Sequence, residues 1–367
     1  MKTRVSLLLG ACSAILFSTT AVAQSAYSAL QLSGGYFYML NNSGQLAGTD
    51  STGLNYVYTD ANGIGLHTLD TPAGFSPGGN QAGFQSINNL GQVAGTYLAL
   101  DGSSVQGFYT TSGAVVSTMA NGQPLPGISG INDKGQMVGF TVNSDSDSIG
   151  APQISQGGAL WQPVSALSGD ANNAYAVTSI NNQGQMSGLV WNATQQVNSR
   201  FFASADGSTI MVPINTLNGS QDADWDLVSK NLNEQGQLAG TYYDADGNSR
   251  VFLTGPNGTG ISTLDGISYA FGLNNAGQVA GMGTDANGIF VATITGPNGQ
   301  GAVDLNTLYS LSGDSFTSAQ GINDVGQVLV YTANGNEYLL TPVPESSTSA
   351  LMLLGLCGLG LVLRRKH

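Results

Sequence analysis

A short pattern, an aliphatic residue followed by Asn-x-x-Gly-Gln, occurs seven times and narrows the folds available to this chain more than any other feature. Successive copies lie 41 to 52 residues apart. A period of about 40 to 50 residues is typical of the four-stranded blades of a β-propeller. The copies begin at Leu40, Ile87, Ile131, Ile180, Leu232, Leu273 and Ile322.

The motif has the chemistry of a tight turn between antiparallel strands. An asparagine can bond the backbone two residues further on and so initiate a turn. Glycine adopts the positive φ that such turns require at little cost. The glutamine and the aliphatic residue after it then begin the next strand. The motif therefore predicts a hairpin with a loop of about four residues.

The remainder of each repeat contains enough strand-forming sequence to complete a blade. A second glycine inside the next strand suggests close approach of a neighbouring sheet. An aromatic-rich third strand follows, for example over 56–58 and 250–252. The second glycines are Gly48, Gly95, Gly139, Gly188, Gly240 and Gly281. Fourth strands are predicted to end near Leu69, Met119, Leu217, Leu264 and Leu308.

The two ends of the repeat region are complementary. The seventh repeat stops after its third strand at Thr341, and residues 27–32 form an isolated strand-like segment at the other end. Pairing of these segments would complete the last blade from both termini. We therefore predict an all-β fold, a seven-bladed β-propeller of four-stranded antiparallel blades over residues 25–342. An open β-solenoid is the alternative.

The repeat unit resembles a known repeat family, and two copies fit that family well. Residues 268–274 and 318–323 are similar to the HAF-type repeats of extracellular bacterial proteins, Ser-x-Ala-x-Gly-Ile-Asn-x-x-Gly-Gln-Val-x-Gly. The His-Ala-Phe part is absent, and residues 250–252 stand in its place. The resemblance covers nearly the whole repeat region. It implies a fold and an extracellular location, but no established chemistry.

The N-terminus has the three parts of a secretory signal peptide. Basic residues are followed by an apolar region over 5–17 and a small-x-small cleavage site, which predicts a signal peptide over residues 1–23. A looser interpretation of residues 9–12 is a lipoprotein box, but only five apolar residues precede Gly10. The cleavage site consists of Ala21, Ala23 and the following Gln24.

Cysteine usage fits an exported protein that is stable without disulfides. Cys12 would leave with the signal peptide, and Cys357 lies near the C-terminus. The region between them has no cysteine to oxidise in an extracellular compartment. Its stability must come from its own core, and about 320 residues are enough to build one.

The last 25 residues, 343–367, have the layout of a sorting tail. An uncharged apolar run over 350–363 would span roughly 21 Å as a helix, against about 30 Å for a bilayer core. We predict a transmembrane sorting helix that is held transiently, with the basic end in the cytoplasm. An amphipathic core helix is the alternative, but the run has no polar face. The flanking residues are Val343, Pro344, Glu345 before it and Arg364, Arg365, Lys366 after it.

This tail resembles the PEP-CTERM sorting signal, which exosortases process in Gram-negative bacteria that export polysaccharide. Ser346 departs from the family motif Val-Pro-Glu-Pro. The resemblance implies cleavage near the motif and an exosortase-type processing enzyme as a partner. It further implies an outer-surface or extracellular location after transient anchoring in the inner membrane. Extracellular polysaccharide is the second partner that it suggests.

The charge of the chain excludes nucleic acid as a partner. The formal net charge is −13, and only four of nine basic residues lie between the leader and the tail. A nucleic-acid-binding protein needs a cationic surface against the phosphates. The four residues are Lys134, Arg200, Lys230 and Arg250.

Catalytic chemistry has few candidates. His67 is the single histidine of the repeat region, and neither a nucleophile-elbow motif nor a zinc ligand set occurs. We predict no catalytic residues, no metal site and no cofactor. The alternative is a carboxylate-dependent, glycoside-active enzyme with acidic residues around a central channel. Its candidates are Asp70, Asp133, Asp170, Asp222, Asp265, Asp304, Asp314 and Asp324.

Two further groups of residues have alternative interpretations. Asp244, Asp246 and Asn248 alternate like the start of a calcium loop, although an ordinary hairpin turn explains them too. The acidic loop over 143–148 allows the same two interpretations. The rings of Trp161, Trp191 and Trp225 would stack on sugars if exposed, and would be core residues if buried.

Taken together, these features predict an exported, exosortase-processed, non-enzymatic surface or matrix β-propeller that associates with extracellular polysaccharide or biofilm.

Overall fold

The computed structural model describes most of the repeat region. The described residues are 26–53, 55–69, 75–77, 84–99, 105–111, 114–117, 127–143, 148–155, 161–164, 167, 173–192, 197–205, 208–212, 216–217, 221–222 and 231–343. The predicted signal peptide with its cleavage site, and the predicted sorting tail beyond Val343, lie outside them. Within these ranges, no helix is long and apolar enough to cross a membrane.

The described residues form seven antiparallel sheets, numbered here in chain order. Sheet 1 contains β2 (Gly35–Leu40), β3 (Leu46–Asp50), β4 (Tyr56–Thr59) and β5 (Leu66–Leu69). Sheet 2 contains β6 (Phe75–Pro77), β7 (Phe84–Ile87), β8 (Val93–Ala99), β9 (Val105–Thr111) and β10 (Ala114–Ser117). Sheet 3 contains β11 (Gly127–Ile131), β12 (Met137–Asn143), β13 (Ser148–Ser155) and β14 (Trp161–Pro163).

The remaining four sheets follow the same order along the chain. Sheet 4 contains β15 (Asn173–Ile180), β16 (Met186–Asn192), β17 (Val197–Ala203) and β18 (Thr209–Met211). Sheet 5 contains β19 (Gln221–Asp222), β20 (Ala239–Tyr243), β21 (Ser249–Thr254) and β22 (Ile261–Leu264). Sheet 6 contains β23 (Tyr269–Leu273), β24 (Val279–Thr284), β25 (Phe290–Thr295) and β26 (Ala302–Asp304). Sheet 7 contains β27 (Phe316–Ile322), β28 (Val328–Thr332), β29 (Glu337–Pro342) and β1 (Tyr27–Gln31).

Sheet 7 is built from both ends of the repeat region, as the sequence predicts. Strand β1 pairs with β29 in antiparallel register, with Ser28 opposite Thr341 and Leu30 opposite Leu339. The backbone N–H of Val343 then donates to the carbonyl oxygen of Ala26. The N-terminal strand is therefore the fourth strand of the last sheet.

The seven motif turns have the predicted conformation. In the first copy, the backbone N–H of Gly44 donates to the carbonyl oxygen of Asn41 at 3.0 Å. The backbone N–H of Asn41 donates to the carbonyl oxygen of Gln45 at 3.1 Å. Gly44 has a φ of 72°, in the left-handed region that disfavours other residues. The equivalent glycines all have positive φ, namely Gly91, Gly135, Gly184, Gly236, Gly277 and Gly326.

At Gly188 and Gly281 the second glycine has a different role from the one predicted, whereas a Cβ at Gly240 would lie 3.2 Å from Nε of Arg200 in neighbouring sheet 4, as predicted. A Cβ at Gly188 would lie 1.9 Å from the carbonyl oxygen of Ala176, on the inner strand of the same sheet. A Cβ at Gly281 would lie 1.7 Å from that of Tyr269. The register of each pair shifts just beyond this contact, which marks a β-bulge. These glycines therefore accommodate a bulge within their own sheet.

Two of the predicted fourth-strand ends are wrong. Leu69 and Leu264 end β5 and β22 as predicted, and Met119 lies outside the described residues. Strand β18 ends at Met211, well before Leu217. Strand β26 ends at Asp304, because the Asp304 carboxylate accepts the N–H of Asn306 and begins a 3-10 turn over Leu305–Thr307. Further 3-10 turns are Ala61–Gly63, Pro256–Gly258 and Pro297–Gly299.

The hydrophobic core consists of separate clusters, each between two sheets that are consecutive in the chain. For example, Phe202 of sheet 4 packs with Phe252 of sheet 5. The last sheet packs in the same way against the first, since Leu329 and Leu339 form a cluster with Phe37 and Leu46. The described residues therefore have the radial, face-to-face sheet packing of a β-propeller-like fold.

Candidate functional site

All seven motif turns meet around one pocket of about 130 Å³, here called the central pocket. Its wall is formed by the aliphatic residue that opens each motif, and polar motif residues surround it. Since every repeat contributes, the pocket lies where the seven sheets converge. The aliphatic residues are Leu40, Ile87, Ile131, Ile180, Leu232, Leu273 and Ile322.

The motif asparagine is a buried connector between repeats. In the first copy, the Asn41 side chain is 3% exposed, and its Oδ1 accepts the backbone N–H of Ser43 and of Gln45 at 3.0 Å each. Its Nδ2 donates to the Gln45 side chain at 2.8 Å and to the carbonyl oxygen of Asn88, in the next repeat, at 2.9 Å. Both ends of the amide are therefore fully used.

The inter-repeat bond recurs in every copy and returns to its starting point. Each motif asparagine donates to the carbonyl oxygen of its counterpart at 2.9 to 3.1 Å, and Asn323 donates to Asn41 at 2.9 Å. These seven bonds form a cycle, here called the inner ring. Its members are Asn41, Asn88, Asn132, Asn181, Asn233, Asn274 and Asn323.

The next residue of each motif forms a second cycle, here called the rim. Its backbone N–H donates to the side-chain oxygen of the residue at the same position in the following repeat, at 2.7 to 3.1 Å. Asp324 closes the cycle by donating to Asn42 at 2.9 Å. The rim residues are Asn42, Asn89, Asp133, Asn182, Glu234, Asn275 and Asp324.

The rim carboxylates are held by amide groups from both sides. Oδ2 of Asp133 accepts from the side chain of Asn89 at 2.9 Å and from that of Asn182 at 2.8 Å. Oδ2 of Asp324 accepts from Asn275 and Asn42 in the same way, at 2.6 Å each. The rim therefore carries anionic groups in three of seven repeats, separated by neutral amides.

Glu234 is a rim acid whose carboxyl has a raised pKa. Burial raises the pKa of its carboxyl, and the N–H of Asn182 opposes this by hydrogen bonding. The negative charges of Asp133 and Asp324 raise the pKa further, while Lys134 lowers it. The three acids are therefore close enough to interact electrostatically around the central pocket.

Of the eight aspartates proposed from the sequence, the structure places Asp133 and Asp324 at the central pocket. Sequence reasoning missed Glu234, although its position after the motif asparagine was a usable signal. Asp304 and Asp314 accept hydrogen bonds within local turns instead. The others are Asp222 in β19, Asp265 in the loop after β22, and Asp70 and Asp170 outside the described residues.

The candidate calcium loop forms a hairpin turn. Oδ1 of Asp244 accepts the N–H of Asp246 at 3.1 Å and that of Asn248 at 2.9 Å. Oδ2 of Asp244 accepts from Nε of Arg250 at 3.1 Å. These hydrogen bonds lower the pKa of Asp244 and engage both of its oxygens. The loop over 143–148 lies largely outside the described residues.

Among the described residues, no group of three or more His, Cys, Asp or Glu is arranged to hold a metal ion. His67 lies on β5, with Nε2 3.1 Å from Oδ2 of Asp60 and its ring stacked on Tyr58 at 4.9 Å. Both His67 and Asp60 are exposed, and neither reaches the central pocket.

Trp161 lies away from the central pocket. Trp161, on β14, packs against the cluster between sheets 2 and 3 that includes Ile128 and Met137. That position supports the core interpretation for this residue. Trp191 lies on β16, and Trp225 lies outside the described residues.

No family model matches this sequence, and no curated protein matches it. Solved structures do match in shape. The structure of YCF48 bound to D1 peptide is 12% identical, covers 88% of this chain and 97% of its own, and has a TM-score of 0.49. TolB from Acinetobacter baumannii is 12% identical and has a TM-score of 0.41. That match covers 72% of this chain and 62% of the TolB chain.

A structure from a study of two prolyl endopeptidases is 12% identical and has a TM-score of 0.50. The match covers 86% of this chain but only 47% of that one. At such low identity the similarity concerns the fold alone, and it agrees with a β-propeller-like arrangement.

Proposed function

We propose that this chain forms a closed seven-bladed β-propeller that acts outside the cell as a non-enzymatic surface or matrix protein. The inner ring and the rim support the closure, because both cycles of hydrogen bonds run through all seven motifs and return from Asp324 and Asn323 to the first repeat. The core cluster between sheets 7 and 1 supports it as well. An open solenoid would leave the first and last repeats apart.

The single observation that carries the non-enzymatic role is the use of the rim carboxylates. Both oxygens of Asp133 and of Asp324 accept separate hydrogen bonds from flanking repeats, and the two oxygens of Glu234 share the backbone N–H of Asn182. A glycosidase needs one carboxyl that is free to donate a proton and a second that is free to act on sugar or water. Engaged as acceptors, these acids stabilise the ring.

The size of the central pocket favours the same conclusion. Its volume is about 130 Å³, whereas pockets that enclose small molecules usually measure about 300–1,000 Å³. A sugar residue held by this site would have to lie across the rim. There it would meet the side-chain amides of Asn42, Asn89, Asn182 and Asn275. Each of them uses one N–H on a rim carboxylate, and the NH2 group has a second N–H suited to a hydroxyl group. We therefore propose an extracellular polysaccharide as the ligand class.

The export route is proposed from the sequence. The signal peptide over 1–23 and the PEP-CTERM-like tail over 343–367 support secretion, transient anchoring and exosortase-type processing. Intact mass of the protein recovered from a producing culture tests this route. Loss of the first 23 residues and of the segment beyond Glu345 is expected, whereas a full-length mass would contradict it.

One observation favours the enzymatic alternative. Glu234 has a raised pKa, as a general acid would, and two further carboxylates share the rim with it. Incubation of the exported protein with polysaccharide from the same culture distinguishes the two. Co-sedimentation without new reducing ends supports binding. New reducing ends that disappear in Glu234→Gln, but persist in a matched Asp285→Asn variant at an exposed turn, would establish the enzyme instead.

A further inference from the structure

The contact between sheets 7 and 1, here called the seam, contains a buried carboxyl group. Glu337 lies at the start of β29 and is 6% exposed. Its Oε2 accepts the backbone N–H of Phe37, on β2, at 2.9 Å. The hydroxyl of Tyr331, on β28, donates to the carbonyl oxygen of Phe37 at 2.7 Å. Two side chains of the last sheet therefore hold one backbone unit of the first.

The second oxygen of Glu337 lacks such a partner. Oε1 is buried and accepts no hydrogen bond from the described residues. The Tyr331 hydroxyl is close enough to lower the pKa of the Glu337 carboxyl, although its hydrogen bond goes to Phe37. An ionised carboxylate here would therefore carry a charge that is only half solvated by the protein.

The titratable neighbours of this site are phenols, namely Tyr331 on β28 and, beside it, Tyr36 and Tyr38 on β2. Burial raises the pKa of Tyr331, and the charges of Glu337, Tyr38 and Tyr36 raise it further. No lysine, arginine or histidine of the described residues forms an ion pair with Glu337. Burial outweighs the Phe37 N–H and the Tyr331 hydroxyl, and raises the pKa of Glu337 to about 7.

We propose that the seam is a pH-sensitive latch, in which Glu337 closes the ring when protonated and weakens the closure when ionised. Proton uptake from solvent neutralises the carboxyl and so removes the cost of burying a charge that has one hydrogen-bond donor. Oε2 still accepts from Phe37. The latch rests on the proposed ring closure, because it acts between the two ends of the repeat region.

The sign of the pH dependence follows from the direction of the shift. The folded state holds the proton more tightly than the unfolded chain, where the carboxyl has its ordinary pKa of 4.5. Stability from this group is therefore complete below pH 4.5 and is lost as the pH rises towards 7. Above pH 7 the loss is constant. A shift of this size corresponds to a change of up to about 300-fold in the opening equilibrium.

The test is amide hydrogen exchange at Phe37, measured from pH 5 to pH 8 in the exported protein and in Glu337→Gln. The wild type should lose about 70-fold of its protection between pH 5 and pH 8, after correction for intrinsic exchange. Glutamine keeps an acceptor for the Phe37 N–H and cannot ionise, so the variant should retain its protection at pH 8. Equal pH profiles in the two proteins would overturn the latch.

Tyr331→Phe provides a second variant in case Glu337→Gln does not fold. It leaves the carboxyl in place and removes a group that lowers its pKa, so the pH of half-loss should move upward. An unchanged midpoint would overturn the proposal. Glu234→Gln is the matched control, because it removes a carboxyl with a raised pKa at the rim and leaves the seam intact. Polysaccharide binding is measured in a separate experiment, by co-sedimentation. A protein that does not bind polysaccharide could therefore still show the predicted pH dependence of exchange at Phe37.

Discussion

Removing one member of the inner ring should destabilise the whole molecule, because each motif asparagine joins two repeats. Asn323 is the most informative position, since its bond to Asn41 connects the last repeat to the first. Its side chain is 3% exposed. It also donates to the Gln327 side chain and accepts the Gln327 N–H, both at 2.8 Å.

The expected cost follows from those three hydrogen bonds. Each contributes about 1 kcal/mol net, and partners that stay buried without replacement add about 1–3 kcal/mol. We expect Asn323→Ala to lower the free energy of unfolding by about 3 kcal/mol. For a body of this length, that corresponds to a decrease in Tm of about 5 °C.

Asn323→Asp separates the donor from the acceptor role of the side chain. The carboxylate still accepts the N–H of Gln327, but its second oxygen faces the carbonyl oxygen of Asn41 and Oε1 of Gln327. These two acceptor oxygens would repel the buried negative charge of the aspartate, so this variant should be less stable than Asn323→Ala at pH 7. The difference should shrink as the pH falls towards 4, because a protonated carboxyl regains a donor.

Urea unfolding followed by fluorescence measures the free energy of unfolding of Asn323→Ala and Asn323→Asp, with Asn287→Ala as the control. Asn287 lies in an exposed turn and donates to Asp285, so its loss should change stability by less than about 0.5 kcal/mol. If Asn323→Ala stays within 0.5 kcal/mol of the wild type, the inner ring does not stabilise the fold, and the reasoning from its hydrogen bonds is refuted.

Two other predictions follow from the turns and the bulges. Gly281→Ala should lower stability by more than about 3 kcal/mol in urea unfolding, since its Cβ would lie 1.7 Å from the Tyr269 carbonyl oxygen. Gly247→Ala is the control, because a Cβ there meets nothing within 4 Å and should cost only the strain of its positive φ, about 1 kcal/mol. Equal losses of stability in Gly281→Ala and Gly247→Ala would contradict the bulge explanation. Millimolar calcium should leave the Tm of the wild type and of Asp244→Asn unchanged. A rise in Tm confined to the wild type would support the calcium-loop interpretation instead.

The sequence predicts the local features of this fold well, because they depend on neighbours in the chain. The bond from Asn41 to the N–H of Ser43 and the positive φ of Gly44 both lie within one turn. The pairing of β1 with β29 was predictable for a different reason. The last repeat contains three strands where a four-stranded blade needs one more, so its fourth strand has to come from another part of the chain.

Features that depend on how separate repeats pack were predicted poorly or not at all. The donation from Asn41 to Asn88 joins residues 47 positions apart, and no pattern in one motif indicates it. The rim was missed for the same reason, although Glu234 occupies the position after the motif asparagine that all rim residues share. Gly188 was identified, but only the structure shows that it faces its own sheet at a bulge. Glu337 gave no signal, since its burial arises only where the two ends of the repeat region meet.

A designed disulfide tests ring closure most directly. Ser28 and Thr341 face each other in the register of β1 and β29, and Cα atoms of facing antiparallel residues lie about 4.5–5.5 Å apart, which suits a disulfide. In the proposed mature form, which would lack Cys12 and Cys357, Ser28→Cys with Thr341→Cys would supply the only two thiols. Closure predicts a monomer with both thiols oxidised, shown by non-reducing electrophoresis and thiol titration. Free thiols or intermolecular dimers under oxidising conditions would contradict a ring sealed by its own termini.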